Sequence, residues 1–120
     1  MLDGTWIPQG AEFRGTALPA PPTRLIIRAT SYVIETEAGP EAGELIVDDS
    51  TSPARLDFVG KTGTHAGQVI AAIFRQRGNL LQICYAIGEG QSSAPRPTEL
   101  ATSQANLQVL VRYRRELDSA

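Results

Sequence analysis

The sequence predicts an all-β domain, a small antiparallel barrel of eight or nine strands. Three observations carry that expectation. Apolar residues mostly alternate with polar ones instead of recurring every three or four positions. Turn-forming Gly, Pro, Asn, Asp and Ser separate nearly every apolar run. No stretch offers a helix of three turns with an apolar stripe.

The elements follow in order. Gly4-Thr5-Trp6 opens the first strand. Arg24 to Ala29 alternates, with Leu25, Ile27 and Ala29 on one face. Tyr32, Ile34 and Thr36 share a face, and Val33, Glu35 and Glu37 take the other. Leu45 and Val47 alternate with Glu44, Ile46 and Asp48, as Leu56 and Phe58 do with Arg55 and Asp57. Each pattern fits a half-buried strand of period two. Val69 to Phe74 and Leu80 to Ile87 are apolar on both faces. Their β-branched content and bounding glycines favour buried strands over helices. Gln76-Arg77-Gly78-Asn79 is a compact turn that pairs these two runs as a hairpin. In the last run Leu107, Val109, Val111 and Tyr113 share one side. Turns are expected at Ala38-Gly39-Pro40, Asp49 to Pro53, Gly60 to Gly67 and Gly88 to Pro97. Closure into a barrel removes the two edges that an open sheet would expose. About eight strands leave an interior that is filled by side chains or holds one small ligand.

The 120 residues suit a single domain, 1–120, without an internal repeat. Hydrophobic residues make up 42% and charged residues 20%, a composition that folds rather than stays disordered. The 11 basic and 13 acidic residues give a net charge of −2, which argues against a nucleic-acid partner. The single cysteine forms no internal disulfide and the single histidine builds no His-rich metal site. No apolar run reaches the ~18 residues of a membrane helix. Met1-Leu2-Asp3-Gly4 lacks a basic and apolar leader, so a cytoplasmic location is expected, with a removed leader as the alternative.

Two features near the ends carry a resemblance. Gly4 and Trp6 in the opening strand, with Arg112 in the closing one, resemble the calycin signature of lipocalin-like barrels. The resemblance implies that Arg112 packs across Trp6 and closes the barrel floor. A guanidinium suits that task, since it stacks on an indole and bonds carbonyls at strand ends. The chain also resembles an uncharacterised bacterial lipocalin-like domain family, abundant in planctomycetes. Leu2, Gly4 and Trp6 match its opening, followed by Gly15 and by Pro53, Leu56 and Asp57. Gly67, Ala72, Ile73 and Phe74 follow, then Leu81, Ile83 and Cys84, then Arg96, Pro97 and Thr98. Leu107, Val109 and Arg112 complete the order. Gly78-Asn79 stands where the family has Gly-Asp, and Leu100 stands where it has an aromatic. The resemblance implies a fold and no established activity.

Candidate chemistry is sparse. Gly60-Lys61-Thr62 is no phosphate loop, because Arg55 occupies the required upstream glycine and a strand follows instead of a helix. His65 lies in a glycine-rich loop without a Ser or Cys beside it, so a solvent-facing side chain is expected. Asp48, Asp49 and Asp57 are expected to cap turns, since calcium needs more oxygens at fixed spacing. Gln82 and Cys84 share one face, and Leu81, Ile83 and Tyr85 the other. If the first face lines the lumen, Gln82 orients a polar ligand atom; otherwise it hydrates the wall. Cys84 otherwise reads as a small buried hydrophobe. Tyr32 and Tyr113 are further cavity or rim candidates, and Arg96 is a candidate for the barrel mouth. Arg24, Arg28, Arg75, Arg77, Arg112, Arg114 and Arg115 lack the interleaved aromatics of a nucleic-acid strip.

The expected function is non-catalytic binding of a small hydrophobic or amphipathic molecule in the cavity. No catalytic residue, metal, cofactor, nucleic acid or membrane partner is expected. The alternative is a protein-interaction module or homodimer with a filled barrel and an outer apolar patch of Ile26, Ile46, Ile70 and Leu110. An enzyme using His65 and neighbouring carboxylates at the mouth is a third reading, and it needs His65 within hydrogen-bond reach of another polar group over a pocket.

Overall fold

The computed structural model describes residues 2–87, 95–105 and 107–117. All regular structure among them is strand: β1 (Gly4–Phe13), β2 (Thr16–Leu18), β3 (Arg24–Arg28), β4 (Ser31–Thr36), β5 (Gly39–Asp48), β6 (Ala54–Gly60), β7 (Val69–Arg77), β8 (Leu80–Ala86) and β9 (Gln108–Arg115). Neighbours in sequence pair antiparallel from β3 round to β9, and β9 returns to pair with β1. Eight strands therefore close a barrel. The ninth, β2, is a three-residue flap on the second half of β1, whose first half pairs with β3.

Alternation decides which side chains face inward. Paired residues in a ladder point to the same side, so one inward residue orients its whole row. Trp6, Leu25, Ile27, Tyr32, Leu45, Leu56, Phe58, Ala72, Phe74, Leu81 and Ile83 form the inner core. The outer wall is charged: Arg28, Glu44, Asp57, Arg75, Arg77, Arg112 and Arg114 alternate with those inward residues. A lipid-facing barrel carries an apolar band on that surface. No helix among the described residues is long and apolar enough to cross a membrane.

β7 and β8 read as apolar on both faces because each face is covered. Outward-facing Ile73, Cys84 and Leu110 form a second buried cluster, with Leu100 packed on it. Leu100 belongs to a strap, residues 95–105, that crosses the outer wall. Arg96 anchors one end, donating to the Ala72 carbonyl at 2.8 Å and to Asp57 Oδ1 at 2.6 Å. At the other end Arg14 Nη2 donates to the Gln104 carbonyl and the Gly15 amide donates to Thr102 Oγ1, both at 3.0 Å. Leu110 is thus hidden, and Ile70 packs against the inner core. Of the expected outer apolar patch, Ile46 stands exposed on the wall.

The barrel floor differs from expectation in one residue. The guanidinium above the Trp6 ring, 4.5 Å from its centroid, belongs to Arg115. Arg112 points outward, opposite Gly10 and Gln82, and pairs with Glu12 at 2.9 Å. Period two explains the correction. Val109, Val111, Tyr113 and Arg115 share the inner face, and Arg112 falls between two of them. Gly4 supplies the space, since a Cβ there would lie 3.1 Å from Arg115 Nε. Trp6 is fully buried, and its Nε1 donates to the Leu2 carbonyl at 2.8 Å. Arg115 also donates to Asn79 Oδ1 at 3.2 Å.

Candidate functional site

The core fills the barrel's middle and leaves a recess at each end. The end remote from Trp6 holds a cavity of about 140 Å³. Its walls are inward side chains from six strands: Leu25 on β3, Ile34 on β4, Phe58 on β6, Ile70 on β7, Ile83 on β8, and tyrosines from β4, β8 and β9. The tyrosines are Tyr32, Tyr85 and Tyr113. Glu41, Thr62 and His65 form the mouth.

Local chain geometry places each mouth residue. Glu41 sits opposite Ile34 across the β4–β5 ladder and therefore faces inward. Its Oε1 accepts the Thr64 amide at 3.0 Å, fastening the β6–β7 loop over the barrel end. Thr62 Oγ1 accepts the Ala42 amide at 3.0 Å. The loop packs so closely on β6 that a Cβ at Gly60 would lie 2.0 Å from the His65 carbonyl oxygen. That approach turns His65 to the mouth, with Nδ1 3.3 Å from Gln68 Oε1. His65 thus meets the geometric condition of the third reading, yet among the described residues no Ser or Cys lines this cavity.

The tyrosine hydroxyls define the cavity's chemistry. None of the three has a protein hydrogen-bond partner among the described residues. None of the three hydroxyls is fully enclosed, so each stays open to an acceptor that enters the cavity. Burial, and secondarily the charge of Glu41, raises the Tyr32 pKa above the ordinary phenol value. Burial likewise raises that of Tyr85, with a smaller contribution from Cys84. Tyr113 is pushed furthest up, first by burial and then by neighbouring Tyr85. All three therefore remain neutral donors at physiological pH. The Tyr32 ring meets Phe58 edge-on, with centroids 5.1 Å apart, which fixes its orientation.

At the Trp6 end lies a wider basin of about 680 Å³. Ile27, Leu45, Val47, Ala54 and Phe74 form its apolar walls, with Leu2 beside them. Val47 faces inward yet is 46% exposed, which marks this end as open.

Of the sequence candidates, Tyr32 and Tyr113 do line the lumen. Gln82 and Cys84 do not. Both face outward, because Leu81 and Ile83 take the inner side of β8. The Cys84 thiol lies beneath the strap, where burial pushes its pKa up and Gln108 Nε2 donates to it at 3.4 Å. Arg96 holds the strap to the outer wall and is not at the mouth. Sequence reasoning misses Tyr85 and Glu41 as cavity residues. Tyr85 shares a face with Leu81 and Ile83, and that alternation is the signal that could have found it. Among the described residues no group of three His, Cys, Asp or Glu side chains is placed to hold a metal. Comparison with family models, curated proteins and solved structures gives no match.

Proposed function

We propose that the protein binds a small, partly apolar molecule in the tyrosine-lined end of a calycin-type barrel, without catalysis. One observation supports this reading: three neutral tyrosines line an apolar chamber, and their hydroxyls have no protein hydrogen-bond partner among the described residues. They suit a ligand with an aromatic or branched aliphatic body and one hydrogen-bond acceptor. The volume limits the enclosed part to about one ring, since an apolar cavity of roughly 150 Å³ accommodates benzene. A longer molecule would extend past Glu41 and His65. A cytoplasmic setting is the accompanying proposal, supported by the single thiol.

The wider basin at the Trp6 end favours a second reading, in which the ligand seats there instead. Its volume falls within the ~300–1,000 Å³ of drug-sized sites. The two are separable by thermal melting with a panel of phenols, benzoates and short fatty acids. A cavity ligand raises the melting temperature by mass action, and Tyr85→Phe with Tyr113→Phe abolishes the rise. A rise that survives both substitutions moves the site to the basin. No rise across the panel rejects both readings.

A further inference from the structure

The outer wall opposite β4 and β5 carries a second feature. Cross-strand register sets Arg75, Gln82 and Arg112 in one outward row, and Arg77, Leu80 and Arg114 in the next. Residues two apart on a strand are ~7 Å apart, and strands are spaced ~4.8 Å. Four arginines therefore stand at the corners of a rectangle roughly 7 by 10 Å, around Leu80 and Gln82. The surface there is concave. A depression of about 360 Å³ is lined by Gln9, Arg75, Arg77, Leu80, Gln82 and Arg112, with the inward-facing Leu81 and Tyr113 beneath them. A β-bulge between Pro8 and Gly10 borders it. Gly10 leaves room for the Arg112 guanidinium, since a Cβ there would sit 2.8 Å from Nη2.

Among the described residues the charge is not neutralised locally. Arg112 pairs with Glu12, but no carboxylate among the described residues lies within 4.0 Å of Arg75, Arg77 or Arg114. Three cations without an ion-pair partner among the described residues gather on one face of a chain whose net charge is −2. Clustered like charges repel, and an anion relieves that repulsion. Guanidinium forks bind phosphate oxygens in bidentate fashion. The outward residues of these rows include no aromatic side chain, and among the described lining residues Tyr113 alone could stack a base, fewer than the successive platforms of a single-strand groove. We propose that this face of β7, β8 and β9 binds a diphosphate group, carried by a small ester or by a lipid headgroup.

Titration calorimetry of the full chain with inorganic pyrophosphate tests the site. Saturable one-to-one binding is expected, weakening with salt. Arg75→Glu/Arg77→Glu should weaken it about a hundredfold, roughly tenfold for each guanidinium removed. Arg28→Glu/Lys61→Glu changes the net charge equally on other surfaces and should leave binding within about threefold. Trp6 fluorescence and melting confirm that both variants fold. No saturable binding, or equal loss in both variants, overturns the proposal. Phosphatidylcholine vesicles doped with a phosphatidylinositol bisphosphate separate the sources. Co-sedimentation that pyrophosphate displaces assigns a lipid headgroup, and no co-sedimentation beside retained pyrophosphate binding assigns a free ester. Tight binding of a single-stranded oligonucleotide that pyrophosphate does not displace also overturns the proposal.

Discussion

Replacing Arg115 with alanine should destabilise the fold far more than replacing Arg112. Arg115 lies over Trp6, the fully buried indole at the barrel floor. A well-placed cation on an indole contributes about 0.5–2 kcal/mol. The aliphatic stem adds packing on the same ring, and the bond to Asn79 adds a further increment of about 1 kcal/mol. The sum is about 2–3 kcal/mol, discounted for the exposure of the Asn79 contact. Arg112 offers much less. Its pair with Glu12 is a third or more exposed on both sides, and such pairs contribute at most about 1 kcal/mol. Urea denaturation followed by the fluorescence of Trp6, the single tryptophan, measures both variants. The thermal equivalent is a drop of about 8–12 °C for Arg115→Ala, at ~4 °C per kcal/mol for a chain of this length. An Arg112→Ala cost equal to or above that of Arg115→Ala would refute the assignment of the floor.

Three other substitutions probe separate parts of the barrel. Ala29 occupies a left-handed conformation at φ 54° in the β3–β4 turn, where Asp3 Oδ2 accepts its amide. Ala29→Gly should stabilise by up to about 1 kcal/mol, read as a higher denaturation midpoint. Gly60→Ala should displace the β6–β7 loop and lower stability by several kcal/mol, because its Cβ would collide with the His65 carbonyl. Amide hydrogen exchange at Gly67 and Gln68, both bonded within that loop, should rise in parallel. Tyr113 gives a pH signature. Its folded pKa lies above that of the unfolded tyrosine, so the folded state holds its proton longer. Stability is then fully present below about pH 10 and falls as pH rises beyond it. Tyr113→Phe should flatten that alkaline decline in urea titrations.

Much of the barrel is legible in the sequence because period-two alternation is set by the backbone alone. Leu25 with Ile27, Tyr32 with Ile34, and Leu56 with Phe58 each fall on the inner face as their alternation requires. The parts that are not legible depend on contacts between distant residues. β2 spans three exposed residues, too few for a periodic signal. Alternation places Gln82 and Cys84 together, but two-sided apolarity hides which side is inner. The strap creates that ambiguity by covering Ile73, Cys84 and Leu110 from outside. Arg112 shows the opposite case. Alternation with Val111 and Tyr113 already turns it outward, against the position that a short family signature implies. His65 reaches the cavity mouth through the close packing of its loop on Gly60, which no local pattern reveals.

Side-chain methyl NMR during a phenol titration decides whether the lumen beneath Glu41 and His65 receives a ligand. Saturable shifts are expected at Ile34, Ile70 and Ile83, which line the cavity, with Ile46 on the outer wall unmoved. Shifts confined to Ile27, Leu45 and Val47 at the opposite end, or no saturable shift at any of them, would contradict binding in the lumen.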